Sequence, residues 1–236
     1  MSFGIFKLLS ILLTILLIFP FFIQAPQQPT HFDRRKIDTT ENLLPSKEWQ
    51  EEQVKNFTEV RLKVARHLAL VHKEDTTPGT ETIKFPSFKS EHGWCTFCLG
   101  DTIWNELLLA VADSDEEEKS TTEKVKKSYA QTSGLGHPPM LKIISNLKQS
   151  VITRLLERHS EWAVTLDKVE KKQALWFYAL MSAVEKPLHP DIESSLRSFV
   201  LVCSKQRSRE KIISRELDLI ICIVARYFGQ ADLADN

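Results

Sequence analysis

The stretch ALWFYALMSAV, residues Ala174 to Val184, is apolar on nearly every side when it is drawn as a helix. A helix with one apolar stripe lies on the surface of a core, whereas a helix that is apolar all round is buried. Pro187 follows and stops the helix that we predict from about Leu166 to Lys186. The stretch therefore predicts a central buried helix, which other elements must cover.

The segments on both sides of this stretch carry helical patterns. From Trp49 to Val71, apolar residues recur every three to five positions, and Ser46 can cap the helix that they predict. No stretch alternates polar and apolar residues between hairpin turns. The predicted fold is all-α, an irregular bundle of about seven helices. The remaining helices are predicted after Asp101, from Pro138-Pro139, after Ser150, from near Pro190, and from Glu210 to Phe228 with Gly229 as C-terminal cap.

Composition divides the chain into an apolar segment at residues 1–24, an extended linker at 25–46 and a helical domain at 47–236. Residues 113–137 are rich in acid, base, serine and threonine, and we predict a disordered insertion there, beside a disordered N-terminal extension. The segment 1–24 resembles a secretory signal or a membrane anchor facing the cytosol, and an extension from a wrong gene model is a third interpretation. Membrane association is left open at this point.

Charge and motifs narrow the function classes. The chain has 31 lysines and arginines and 31 aspartates and glutamates, so no overall field attracts nucleic acid, and we expect no direct sequence-specific binding to it. The sequence has no phosphate-cradling glycine loop, no G-x-S-x-G and no H-E-x-x-H motif. His67, His159 and His189 are predicted on helix surfaces or at helix starts. We therefore expect a protein that is not an enzyme and has no catalytic residue, cofactor or metal.

The segment EHGWCTFCLG, Glu91 to Gly100, contains a tryptophan beside a C-x-x-C pair. A redox site would need its first thiol at a helix start after a strand, and no credible strand precedes this pair. A structural zinc site would need a second ligand pair, which the sequence lacks. The third interpretation, that Trp94, Phe97 and Cys98 anchor the segment in the core, is favoured. A secreted or membrane-tethered thiol-disulfide protein is the alternative function.

Five segments resemble the gemin-two family, whose members interact with the survival motor neuron protein. The closing RYF-x-Q-x-DLAD and the central FYAL-x(4)-EKPL-x-P are the most specific parts of the match. In the family segment G-W-x-x-F-C-L-G, Cys95 falls at a variable position, so we expect Cys95→Ser to behave as a surface substitution. The segments are Trp49 to His67, Gly93 to Gly100, His137 to Trp162, Leu175 to Pro190 and Ile221 to Asp235.

The resemblance implies a non-enzymatic scaffold of the survival motor neuron complex, cytoplasmic and nuclear, which binds Sm proteins and promotes assembly of spliceosomal ribonucleoprotein cores. It also implies a site for a helix of the survival motor neuron protein. The last predicted helix carries more apolar residues than one packing face needs, so Leu219, Ile223 and Tyr227 are predicted to line a groove for that helix. The competing interpretation is that all three are ordinary core. The family's long polar N-terminal region is matched only by Pro29-Thr30-x-Phe32-x-Arg34-Arg35, and the apolar stretch stands in place of the rest.

Overall fold

The computed structural model describes residues 44–71, 83–112, 134–210 and 214–235. Within these ranges it contains eight α-helices and no strand, which confirms the all-α prediction. The predicted segment 1–24, nearly all of the linker and residues 113–133 lie outside them. The helices are α1 (Lys47–Val71), α2 (Glu91–Cys98), α3 (Asp101–Ala112), α4 (Leu141–Ile144), α5 (Gln149–Leu166), α6 (Lys171–Ala183), α7 (Pro190–Glu210) and α8 (Arg215–Cys222).

Helix α6, which contains most of the quoted stretch, lies at the centre of the bundle. It packs against α1, α4, α5 and α8. Its side chains are buried almost without interruption from Gln173 to Ala183. The ring of Phe177 stacks on Phe199 of α7 with 3.7 Å between ring centroids. An apolar stretch of this kind has no favourable contact with water, and the neighbouring helices bury it on all sides.

The ends of the long helices follow the local signals in the sequence. Ser46 Oγ accepts a hydrogen bond from the backbone N–H of Trp49 at 3.3 Å, as expected of an N-cap. At the other end of the chain, Gly229 has a φ of +84°, the left-handed conformation that favours glycine. The last helix departs from the prediction before it reaches Gly229. The α-helix ends at Cys222 and continues as a π-helical turn, Ile223–Tyr227, in which Phe228 N donates to Ile223 O at 3.2 Å.

Helix α2 was not predicted, and it explains why the bundle has one helix more than seven. It is only eight residues long and contains Gly93, so its helical pattern is too short to recognise. Residues 134–137 pack against its end, where His137 N donates to Phe97 O at 2.6 Å. A Cβ added to Gly100 would lie 2.5 Å from Gly134 O, so the two backbones approach closely. The prediction of disorder is therefore wrong for residues 134–137.

His159 of α5 lies inside the core, so its predicted place on a helix surface is wrong. Its ring is fully buried, with centroid distances of 5.0 Å to Trp162 and 6.4 Å to Trp176 of α6. Neither ring nitrogen has a hydrogen-bond partner among the described residues. Burial lowers the pKa of His159 to about 3, because an imidazolium would lose its hydration there. The folded protein holds this histidine neutral.

The free energy of unfolding should fall as the pH is lowered, since the unfolded chain binds a proton on His159 and the folded chain does not. The effect begins near the ordinary histidine pKa of 6.5 and continues down to about pH 3. Within that window each pH unit lowers the free energy of unfolding by up to about 1.4 kcal/mol. Denaturant titrations at pH 7 and pH 5 on the wild type and on His159→Leu measure the difference. Equal losses in the two proteins would contradict this role for His159.

A largely buried ion cluster of Arg207, Asp218 and Asp235 joins α7, α8 and the segment after α8. Arg207 donates to Asp218 at 2.8 Å and to both carboxylate oxygens of Asp235 at 2.7 and 2.6 Å. The hydrogen bonds to Asp235 raise the pKa of Arg207 above its usual range. Burial nevertheless raises the pKa of Asp218, and the neighbouring charge of Asp235 raises it further. Gln50 of α1 donates to Asp235 O at 3.1 Å, so α1 is tied to the same cluster.

None of the helices in the described ranges combines the length and the apolar character that crossing a bilayer requires.

Candidate partner-binding surface

Helix α2 carries the W-C-x-x-C segment and fixes it in the core. Ser90 caps the helix, and its Oγ accepts a hydrogen bond from Gly93 N at 3.0 Å. Trp94, Phe97 and Cys98 are buried. Phe85 stacks on Trp94 with a centroid distance of 6.1 Å. The structure thus places the three predicted anchor residues where a packing role requires them.

The two thiols of the pair are buried as well. Cys95 and Cys98 are free and inaccessible to solvent. Burial raises the pKa of Cys95 to about 12 and raises that of Cys98 well above its ordinary value. A thiol attacks a disulfide or binds zinc as the thiolate, which these environments disfavour. Among the described residues, no group of three or more histidine, cysteine, aspartate or glutamate side chains could hold a metal ion.

The expectation that Cys95 is a surface residue is wrong. Helix α2 packs against α3, and its Phe97 contacts the rings of His137 and Trp176. A helix held on several sides leaves few of its positions in solvent. Cys95 therefore behaves as a small buried hydrophobic residue.

We expect Trp94→Ala to lower the free energy of unfolding by about 3 to 5 kcal/mol, because it removes a large buried ring. Cys95→Ser should cost about 1 to 3 kcal/mol, since it introduces a buried hydroxyl in place of a thiol. Phe88→Ala, at an exposed aromatic residue nearby, is the matched control and should change stability little. Urea titrations followed by circular dichroism measure all three. A Cys95→Ser protein with wild-type stability would refute the buried-thiol interpretation.

The predicted groove residues of the last helix do not lie together on one exposed face. Leu219 and Ile223 are buried, and Ile223 has no exposed surface at all. Helix α8 packs against α1, α6 and α7, and these three neighbours cover the sides that a surface groove would need. The exposed groove predicted for Leu219 and Ile223 is therefore wrong. Tyr227, the third predicted residue, is half-buried and reaches the surface.

Tyr227 belongs to a patch that we call the Tyr227 patch, formed by Arg61, Lys186, Tyr227 and Phe228. The ammonium of Lys186 lies 4.0 Å from the centroid of the Tyr227 ring, and the guanidinium carbon of Arg61 lies 5.5 Å from it. Phe57 of α1 supports the ring from the core side at a centroid distance of 5.0 Å. Such distances are those of cation–π contacts. The patch therefore presents aromatic edges and two cations side by side.

The cations of this patch are held by carbonyl groups. Arg61 donates to Met181 O and, at 2.7 Å, to Val184 O, which lie where α6 ends. Lys186 Nζ donates to Tyr227 O at 3.3 Å. Among the described residues, no carboxylate lies within ion-pair distance of either cation. Burial, and then the neighbouring charge of Arg61, lower the pKa of Lys186.

The Tyr227 patch has the chemical character of a binding surface. It offers cations and aromatic surface, which suit a carboxylate-bearing protein segment. It contains no nucleophile beside a general base. The sequence analysis did not identify Arg61 and Lys186, and the available signal was the lysine two residues after the buried stretch that ends at Val184.

Comparison with known proteins places the chain in a family. Residues 18–231 match the family model for Survival motor neuron (SMN) interacting protein 1 (SIP1). Gem-associated protein 2 of Mus musculus is 34% identical over 200 residues, which cover 83% of this chain and 69% of the relative. Gem-associated protein 2 of Xenopus laevis is 32% identical over 195 residues, covering 81% and 70%.

A solved structure, "The 8S snRNP Assembly Intermediate", includes a chain with the same fold. The TM-score is 0.56 at 19% identity, and the match covers 89% of this chain and 87% of that one. An identity this low supports the fold alone. The family match and the two relatives carry the assignment: this chain belongs to the survival motor neuron interacting protein 1 family, the gemin-two family that its motifs resemble.

Proposed function

We propose that this chain is a non-enzymatic scaffold in the assembly of spliceosomal small nuclear ribonucleoprotein cores, where it binds a helix of the survival motor neuron protein and Sm proteins. The observation that carries the proposal is the family match over residues 18–231, since the family is described by its interaction with the survival motor neuron protein. The likeness in fold to a chain of an snRNP assembly intermediate is consistent with it. Cytoplasmic and nuclear localisation belongs to the same proposal.

The character of the described surface supports a binding role. The thiols of the C-x-x-C pair are buried and the Tyr227 patch is open to solvent on one side. Tyr227 stays a predicted contact of the partner helix. Leu219 and Ile223 are buried in the core and are not proposed as contacts.

Binding of purified partners tests the proposal. The full chain is mixed with the survival motor neuron protein, with Sm proteins, or with both, and each mixture is analysed by size-exclusion chromatography and isothermal titration calorimetry. We expect complexes with each partner and a ternary complex with both. Failure of the wild-type chain to bind either partner would overturn the proposal. Unchanged binding by a Cys95→Ser, Cys98→Ser protein that remains folded would separate the scaffold from any thiol chemistry.

A further inference from the structure

The segment of residues 229–235, which follows the π-helical turn and which we call the arm, has few backbone ties to the bundle. At its base, Gln230 N donates to Val224 O at a long 3.4 Å, and within the arm Leu233 N donates to Gln230 O at 3.0 Å. Among the described residues, no backbone–backbone hydrogen bond joins residues 231–235 to an α-helix. Side chains therefore hold most of the arm in place.

The arm is anchored by Asp235. Arg207 of α7 donates to both oxygens of its carboxylate at 2.7 and 2.6 Å. The backbone oxygen of Asp235 accepts hydrogen bonds from Gln50 at 3.1 Å and from Arg226 at 3.0 Å. We call these three donors the Asp235 slot. Its bonds to the carboxylate are bidentate and charge-assisted, which makes them stronger than bonds between neutral groups.

The rest of the arm is held more loosely. Asp232 pairs with Arg197, but both side chains are exposed, and solvent screens such a pair. Gln230 donates to the backbone oxygen of Glu193 at 2.8 Å. Leu233 is only partly buried against the core. Release of the arm would thus expose little apolar surface, and its main cost would be the loss of the Asp235 contacts.

The donors of the Asp235 slot are also bound to residues outside the arm. Arg207 donates to Asp218 of α8 at 2.8 Å, and Arg226 donates to Oε1 of Gln50 at 3.1 Å. Departure of Asp235 would leave Arg207 paired with Asp218, one cation with one carboxylate, so no buried charge would lose its last partner. A site whose donors are held in place without the ligand is preorganised to bind it.

We propose that the arm is a peptide bound in cis that swings out about Gly229, and that the Asp235 slot then accepts a free acidic peptide with the same aspartate. Gly229 suits a hinge because a Cβ added there would meet no atom within 4 Å. The tether gives the arm a high effective concentration, so the closed form prevails and a free peptide competes only when the anchor is weakened. Such a site goes beyond the proposed function, because it depends on neither of the partners named there.

A labelled peptide tests the proposal on the full chain. The peptide GQADLADN has the sequence of residues 229–236, and its binding is followed by fluorescence anisotropy. Asp235→Asn in the protein weakens the anchor of the arm but leaves Arg207 bound to Asp218. We expect the peptide to bind this variant at least about tenfold more tightly than the wild type, whose own arm fills the slot.

Two altered peptides provide the specificity control. Asp235→Asn in the peptide should weaken its binding at least about tenfold, because the charge-assisted bonds to Arg207 are lost. Asp232→Asn in the peptide is the matched control and should have little effect, since it removes only an exposed ion pair.

Three results would overturn the proposal. The first is a folded Asp235→Asn protein that does not bind the peptide, and the second is a peptide that binds equally well after its own Asp235→Asn change. The third is equal binding to the wild type and to the variant, which would place the peptide elsewhere on the surface.

Hydrogen exchange of the wild type decides if the Asp235→Asn protein melts too low for the binding measurement. We expect the amides of Leu233 and Ala234 to exchange at least about tenfold faster than those of Ile220 and Ile221 in α8, because the arm opens without the bundle. Equal exchange rates would show that the arm leaves only when the whole protein unfolds, and the proposal would be wrong.

Discussion

Replacing Ile223 with aspartate is expected to unfold the protein rather than to weaken partner binding selectively. Ile223 has no exposed surface and lies in the π-helical turn that continues α8 and packs against α1 and α7. A carboxylate there must either be charged without hydration or bind a proton, and both are unfavourable. The expected loss is on the order of 5 kcal/mol, which is comparable to the whole net stability of a typical domain.

The measurement is thermal unfolding followed by circular dichroism. The affinity for a peptide with the partner helix of the survival motor neuron protein is measured on the same samples. Leu201→Asp is the matched control, because it places the same charge on an exposed residue of α7 and should leave the melting temperature nearly unchanged. Tyr227→Ala should cost less than Ile223→Asp, since the ring is only half-buried, and should weaken partner binding. An Ile223→Asp protein that melts like the wild type but fails to bind its partner would show that Ile223 belongs to the interface.

Replacing Arg207 with alanine is expected to lower the free energy of unfolding by about 3 to 5 kcal/mol, the range for removing one partner of a buried ion pair. The loss is large because two carboxylates, Asp218 and Asp235, remain in the interior without their shared cation. It should shrink as the pH is lowered, because protonation removes the unpaired charges. Chemical denaturation at pH 7 and pH 5 measures both effects.

Arg197→Ala is the matched control for this experiment. Arg197 also pairs with an aspartate of the same segment, Asp232, but both side chains are exposed. Solvent screens such a pair, so its removal should leave the melting temperature almost unchanged. If Arg207→Ala and Arg197→Ala had equal effects, the buried cluster would contribute no more than a surface ion pair.

The parts of the fold that sequence predicted are those in which one local signal dominates. Helix α6 is predictable because its stretch is apolar all round. Ser46 and Gly229 each occupy a position whose geometry their residue type favours. Helix α2 has neither the length nor the pattern for prediction, because its core contacts come from residues distant in the chain, such as His137 and Trp176.

The candidate site was less predictable, for two different physical reasons. The last helix is also apolar on most sides, so the argument that buries α6 applies equally to Leu219 and Ile223. Tyr227 lies in the π-helical turn, so its angular position does not follow from the period of 3.6 residues that the prediction assumed. Arg61 and Lys186 come together only when α1 packs against the end of α6. No local sequence pattern predicts that these two side chains lie close together.

The contacts of α1 also bear on how the protein is made. Gln50 binds Asp235, a residue 185 positions further along the chain. The ring of Phe57 likewise packs against the rings of Tyr178, Tyr227 and Phe228, which are all synthesised later. At a ribosomal rate of about 5 to 20 residues per second, α1 would emerge roughly 10 to 40 seconds before the last of these partners. During that interval the nascent chain displays Phe57, Val60 and Val64 with nothing from its own C-terminal half to cover them, so α1 presents an apolar face that a chaperone can shield during translation.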